Sequence, residues 1–281
     1  MISSLLIGLR EGLEAALIIA ILVAYLVKRD MRSQISRIWA GVAAAVAVSF
    51  AAAGILVITS NELPEKAEQV FAGVTSLAAA GMITWLTFWM ATHARHLKNE
   101  LHEKVDAALM GSKFALAGVA FFAVVREGLE TAIFMLSAVQ VSGSLSASFL
   151  GLVLGLAIAI FTGYLVFKGV LKLNLGKVFS TIGAVLIVVA AGVLTYGLHE
   201  FQEVGLIPFG EDPIVDTTAF IDPTGVLGSL LKGSIAYRGT INPVEMFAWV
   251  SFVAIVSLRY RQILRGSGAP AAAKKEAPVN A

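Results

Sequence analysis

The stretch L-R-E-G-L-E-A runs from Leu9 to Ala15, and V-R-E-G-L-E-T runs from Val125 to Thr131. Each lies in the middle of a long apolar segment. Arg10, Glu11, Glu14, Arg126, Glu127 and Glu130 therefore fall where charge is most expensive. An ionised side chain at the centre of a bilayer costs roughly 2.5–3.5 kcal/mol on insertion scales. Six such groups are not tolerated without partners.

The apolar setting is a property of the whole chain. Of 281 residues, 58% are hydrophobic and only 14% charged, too few to cover a soluble domain of this length. Apolar runs of 18 or more residues recur, which marks a multi-span helical membrane protein. Seven spans are expected, at about 2–27, 38–59, 69–91, 114–140, 147–167, 179–199 and 244–259. The start M-I-S-S-L-L-I-G-L-R-E-G has no basic n-region and no A-x-A site, so the first run is expected to remain as a span. Cysteine is absent. That excludes disulfide frameworks, thiolate metal sites and cysteine nucleophiles.

Charge sets the orientation. The connections after spans one, three, five and seven hold sixteen of the 21 lysines and arginines, among them Lys28, Arg29, Arg95, Lys98, Lys172 and Arg261. Basic residues gather on the cytoplasmic side. The N-terminus is thus expected outside and the C-terminus in the cytoplasm, which requires an odd number of spans. The opposite connections are acidic, with Glu62, Glu65 and Glu68 after span two and Glu200, Glu203, Glu211, Asp212, Asp216 and Asp222 after span six. An acidic outer face concentrates cations; it is equally what remains when positive residues are kept inside. The tail from 261 to 281, rich in Ala and Pro, reads as disordered and cytoplasmic.

The two R-E-G-L-E copies lie 116 residues apart, on spans that run in opposite directions. Each opens a set of three. This is the pattern of an inverted-topology repeat, 3 + 3, with a seventh span added. Repeat one is expected over about 1–100, repeat two over about 113–205, an outer loop over 200–243 and the seventh span over 244–259, giving one domain over 1–260. The fold class is all-α. Sites in such architectures lie near the midplane, at the repeat interface.

On a helix Glu11 and Glu14 share a face, as do Glu127 and Glu130, and each arginine stands four residues before a glutamate. Gly12 and Gly128 allow another helix or an ion to come close. Two arginines against four carboxylates leave an excess of two negative charges. Two Arg–Glu pairs holding helices together would explain the arginines but leave two carboxylates over. A polyvalent cation would neutralise the excess, and carboxylate oxygens suit hard cations rather than soft ones. Protons on coupled carboxylates are the alternative.

These doubled intramembrane motifs resemble the oxidase-dependent iron permease family, and the layout is most similar to its bacterial Efe-type members. F-W-M at Phe88–Met90, K-L-N-L-G at Lys172–Gly176, F-Q-E-V-G-L at Phe201–Leu206 and N-P-V-E-M ending at Met246 also fit, over about residues 1–260. The resemblance implies inward iron transport across the plasma membrane, the inner membrane in bacteria. It implies Glu11, Glu14, Glu127 and Glu130 as iron ligands and Arg10 and Arg126 as charge partners. It further implies an extracytoplasmic partner that oxidises iron and delivers Fe(III), either a multicopper oxidase or cupredoxin-like and haem-peroxidase proteins. Iron would be cargo; no permanently bound cofactor, no enzymatic activity and no nucleic-acid partner are expected. The chain departs from an E-x-x-x-E-like pattern at the start of span three, keeping Glu65 and Glu68 but carrying Gln69 and Ala72 further in.

Three further groups stand out. His199 and Glu203 are four residues apart at the outer end of span six, and with Asp216 and Glu245 they are candidates for an outer site. His93, His96 and Glu100 mark the cytoplasmic end of span three as a candidate exit, against the simpler reading of a solvated helix face. Val226–Ala236 is apolar but too short to span. Two other functions compete: a permease for manganese or lead, and an intramembrane lipid-pyrophosphate phosphatase. The latter also places glutamate motifs in inverted repeats, but its P-G-x-S-R-S-type phosphate motif is missing here, where Ser-Arg occurs only at Ser36–Arg37.

Overall fold

The structure, a computed structural model, describes residues 1–268 except 62, 94–96, 111–113, 169–174, 211, 224, 226, 229–230 and 233–235; the side chains at 60–61, 93, 97–102, 104, 175 and 266–268 also lie outside the description. Helices dominate: α1 (Ile2–Lys28), α2 (Ile35–Asn61), α3 (Glu65–His93), α4 (Leu97–Met110), α5 (Ala115–Ser142), α6 (Leu145–Phe167), α7 (Leu175–Glu203) and α8 (Pro243–Gly268). Between α7 and α8, two short strands, β1 (Val215–Asp216) and β2 (Thr240–Ile241), pair antiparallel. The helix ends fall within a few residues of the expected spans, except that α8 continues past Tyr260 into the segment expected to be disordered.

Five helices, α2, α3, α6, α7 and α8, are long and apolar enough to cross a membrane. α1 and α5 have comparable length, 27 and 28 residues. They fall short on composition alone, because each carries an arginine and two glutamates at its middle. Large apolar side chains face outward around the bundle: Phe50 is 69% exposed, Phe161 63% and Phe247 75%. In water such a surface would aggregate; in a bilayer it faces lipid tails. This chain is a multi-pass membrane protein.

The bundle has a centre and a periphery. α1, α3, α5 and α7 enclose the main core, which contains Leu13, Leu17, Ile83, Leu86, Phe134 and Leu186. α1 packs along α6, α2 along α5 and α3 along α7. Exchanging α1–α3 with α5–α7 leaves that pairing unchanged. Lipid gives helices no hydrophobic reason to associate, so close contact relies on small residues. A Cβ on Gly12 would stand 2.8 Å from the Ala159 Cβ of α6, and a Cβ on Gly128 would collide with Ser49 of α2. The motif glycine of each half thus seats the second helix of the other half, which settles the choice between helix and ion approach in favour of the helix. Gly151 and Gly155 of α6 return the contact, against the backbone of α1 at Met1, Leu5 and Leu9.

The segment after α3 has the charge density of a polar connection, yet α4 is a helix of 14 residues. Val105 and Ala108 bury against Leu22, Leu26, Ile38 and Leu116, at the end of the bundle where α1 finishes and α2 begins. Asp106 accepts hydrogen bonds from Tyr25 Oη at 2.7 Å and pairs with Arg29 at 3.1 Å. Its apolar stripe at Val105, Ala108 and Leu109 was visible in the sequence, but the surrounding charges hid it.

Replacing Gly155 by leucine should force α1 away from α6. Overpacking of this kind typically costs about 1–3 kcal/mol. A fall in thermal midpoint in detergent, with loss of the monodisperse peak on gel filtration, is the expected result; a Gly118→Leu control, where a Cβ meets nothing within 4 Å, should be neutral.

Candidate metal centre

The motif's i, i+4 spacing acts as expected in both halves. Arg10 lies 2.8 Å from Glu11 and 3.4 Å from Glu14; Arg126 lies 3.1 Å from Glu127 and 3.3 Å from Glu130. Arg126 also reaches Glu14 of the other half at 4.0 Å. All four carboxylates are buried between 2% and 7% exposure. One oxygen from each of Glu11, Glu14 and Glu127 lies within 4.8 Å of the others. A hard cation holds carboxylate oxygens at about 2.0–2.6 Å, so ligands on opposite sides of such an ion stand about 4–5 Å apart. The trio has that spacing. Glu130 is not in it and stays beside Arg126.

The charges are only partly satisfied. Glu11 Oε2, Glu127 Oε2 and Glu130 Oε2 are buried without a hydrogen-bond partner among the described residues, and Glu14 Oε1 has only the longer ion pair to Arg10 at 3.4 Å. Leaving such groups unmet is costly in a low-dielectric interior. The donor set is all oxygen, with no sulfur and no imidazole, which favours a hard cation.

The two halves differ in one respect. Arg10 is sealed, its side chain 3% exposed, whereas that of Arg126 is 46% exposed. The Arg126 guanidinium lies over the Trp89 ring of α3, 5.0 Å from its centroid. Trp89 is the central residue of F-W-M; the sequence marked the segment but gave no sign of this contact.

A second polar cluster forms at the C-terminal end of α7. His199 Nδ1 lies 3.0 Å from Glu245 at the start of α8, and Nε2 lies 3.1 Å from Glu203. Arg238, from the loop between α7 and α8, pairs with the same Glu245 oxygen. Gln69 of α3 donates to Glu203 at 2.8 Å, so the residue that departs from the acidic pattern serves to tie α3 to α7. Asn242 donates to Gln202 at 2.7 Å and caps α8 by accepting from the Glu245 amide. Of the candidate outer residues, His199, Glu203 and Glu245 meet. Asp216 does not: it is exposed on β1, where the Thr218 hydroxyl and amide bond its carboxylate and hold it below the usual carboxylate range. Glu200, buried on α7 and hydrogen-bonded to Tyr196, and Arg238 belong to this end of the bundle as well. No sequence spacing links Arg238 to Glu245, since the loop that joins them is irregular. His96 lies outside the described residues, as do the side chains of His93 and Glu100. So does much of Val226–Ala236.

Breaking a buried ion pair by removing one partner costs about 3–5 kcal/mol, whereas an exposed pair is worth about 0–1 kcal/mol. Arg10→Met should therefore lower the thermal midpoint far more than Arg126→Met. Equal losses would mean that the two arginines are equivalent.

Comparison with known proteins identifies the family. The chain matches the iron permease FTR1 family over residues 1–264. It is 34% identical over 251 residues to a ferrous iron permease EfeU of Escherichia coli O6:H1, covering 88% of this chain and 91% of the relative. It is 33% identical over 279 residues to the ferrous iron permease EfeU of Yersinia pestis, covering 97% and 98%. No solved structure matches. With the family resemblance spanning almost the whole chain and both charged motifs inside it, this protein belongs to the iron permease FTR1 family.

Proposed function

We propose that this permease carries iron inward across the membrane on oxygen ligands, with Glu11, Glu14 and Glu127 holding the ion and Glu130 acting as the next ligand beside Arg126. The observation that carries the reading is the meeting of three carboxylates from both halves of the chain in one buried layer. Arg10 and Arg126 offset part of the charge and leave an excess that a cation neutralises. Seven spans then cross the membrane, with the N-terminus outside and the two halves related as inverted repeats. The exchange-invariant pairing of helices supports this arrangement.

His199, Glu203 and Glu245 form the first station on the outer side. There Arg238 is an internal cation that an incoming ion displaces from Glu245. Asp216 is left out of this station, because its carboxylate is engaged within its own turn. Delivery comes from an extracytoplasmic oxidising partner that releases Fe(III), which prefers oxygen ligands.

One second reading has specific support. The relatives at 33–34% identity are named ferrous iron permeases, and a divalent ion matches the two-charge excess. Uptake that a ferrous chelator abolishes and ascorbate stimulates assigns Fe(II); uptake that a ferric chelator abolishes, and that needs the oxidising partner, assigns Fe(III).

Radioactive iron uptake into metal-starved cells lacking their own importer tests the main proposal. Glu11→Ala and Glu127→Ala should each bring saturable uptake below about a tenth of wild type, a loss of roughly 1.4 kcal/mol or more in transport efficiency. Uptake that survives both substitutions contradicts the ligand assignment. Saturable manganese or lead transport without iron transport contradicts the cargo. His199→Ala should raise the iron concentration giving half-maximal uptake several-fold while leaving the maximal rate near wild type; an unchanged half-saturation point removes His199 from the outer station.

A further inference from the structure

The same motif gives its two arginines different surroundings. Arg10 and Arg126 each stand one residue before a glutamate and four before another, so helix spacing alone would treat them alike. The Arg10 side chain is 3% exposed and donates to Glu11 at 2.8 Å. That of Arg126 is 46% exposed, and its ion pairs run from 3.1 to 4.0 Å. Among the described residues the Arg126 guanidinium has an aromatic ring against it, that of Trp89 at 5.0 Å, and Arg10 has none. The ring has a firm seat. Trp89 packs on the main core, and its neighbour Met90 is buried there.

The carboxylates around Arg126 fall into two groups. Glu14 and Glu127 belong to the trio with metal-ligand spacing, and Glu130 does not. Arg126 reaches both groups, at 4.0 Å and 3.1 Å on the side of the trio and at 3.3 Å on Glu130. A cation held by the trio would therefore compete with Arg126 for two of its three ligands. Like charges this close repel strongly where the dielectric is low. With Arg126 kept on Glu130 that pair is neutral, and Glu11, Glu14, Glu127 and Arg10 retain an excess of two negative charges.

We propose that Trp89 is a positioning residue for iron binding: its ring holds the Arg126 guanidinium at the rim of the carboxylate layer, on Glu130, and so keeps Glu14 and Glu127 available to the cation. Four carboxylates draw a guanidinium inward, as the sealed position of Arg10 illustrates. The face of an indole ring attracts a guanidinium electrostatically, more strongly when both are desolvated, and so offsets part of that pull. Without the ring, Arg126 settles deeper on Glu14 and Glu127 and becomes a stronger competitor of the ion. The competing account is that the ring only covers a half-exposed charge in the bilayer. Its loss would then cost stability and leave iron affinity unchanged.

The inference rests on the permease reading and its ligand trio, and the test separates the two. Purified full-length protein in detergent is titrated with radioactive Fe(II), held reduced by ascorbate, and the motif site is read as the binding that Glu127→Ala removes. Trp89→Leu should weaken that binding about fivefold, the equivalent of roughly 1 kcal/mol. Trp89→Phe, which keeps a smaller ring and serves if Trp89→Leu does not fold, should weaken it about twofold. Arg126→Met should bind iron at least as tightly as wild type, because a competing cation is gone. In the Arg126→Met background neither Trp89 substitution should change the affinity further, a dependence that a packing role for Trp89 does not produce. Equal weakening in both backgrounds, or a lower thermal midpoint with unchanged affinity, overturns the positioning role. So does weaker binding in Arg126→Met. Iron binding that Glu127→Ala leaves intact overturns the ligand assignment itself and this inference with it.

Discussion

Four carboxylates and two guanidinium groups share one layer of a membrane bundle, and every other feature of the fold accommodates them. Each ionised group at that depth costs roughly 2.5–3.5 kcal/mol before it finds a partner. α1 and α5 therefore turn their glutamates away from the lipid, all four being at most 7% exposed. Those faces line the centre, while α2, α6 and α8 present Phe50, Phe161 and Phe247 to the bilayer and the far side of α5 presents Phe122. The arginines recover part of the cost at 2.8–3.4 Å, leaving Arg126 extended far enough to reach across to Glu14. Trp89 covers the half-exposed guanidinium, so the second half of the motif is shielded by a ring where the first is shielded by depth.

Close approach is the second condition. Carboxylates from two helices meet only if the helix axes come near one another, and the motif glycines make room on the faces turned away from the charge. Gly12 admits Ala159 and Leu156; Gly128 admits Ser49. One five-residue motif thus performs two tasks. Its charged residues face the opposite half to build the layer, and its glycine faces the outer helix that closes the bundle around it. The repetition of this division of labour on α1 and α5 makes the layer a property of both halves together.

Much of this was legible in the sequence because it follows from period and polarity. Apolar runs located the long helices to within a few residues, and the i, i+4 spacing placed Arg10 on Glu14 and Arg126 on Glu130. The duplication of the motif implied that all four carboxylates would meet; Glu11, Glu14 and Glu127 do. What escaped depends on contacts between segments with no fixed spacing. The separation of Glu130 from the trio, the Trp89 cover and the attachment of Arg238 to Glu245 each depend on how helices or loops settle against one another. Asp216 illustrates the same limit. It has the right chemistry for the outer cluster and lies in the right loop, but Thr218, two residues away, engages it first. α4 was hidden for a related reason: its buried stripe is short and framed by charged residues.

The central claim is that carboxylates from both halves hold one ion between them. A structure of the protein soaked with iron, with diffraction recorded on both sides of the iron absorption edge, addresses it most directly. The account predicts one strong anomalous peak in direct contact with oxygens of Glu11, Glu14 and Glu127. A peak confined to one half of the molecule, or iron bound only at the outer cluster with none among the motif glutamates, would contradict it.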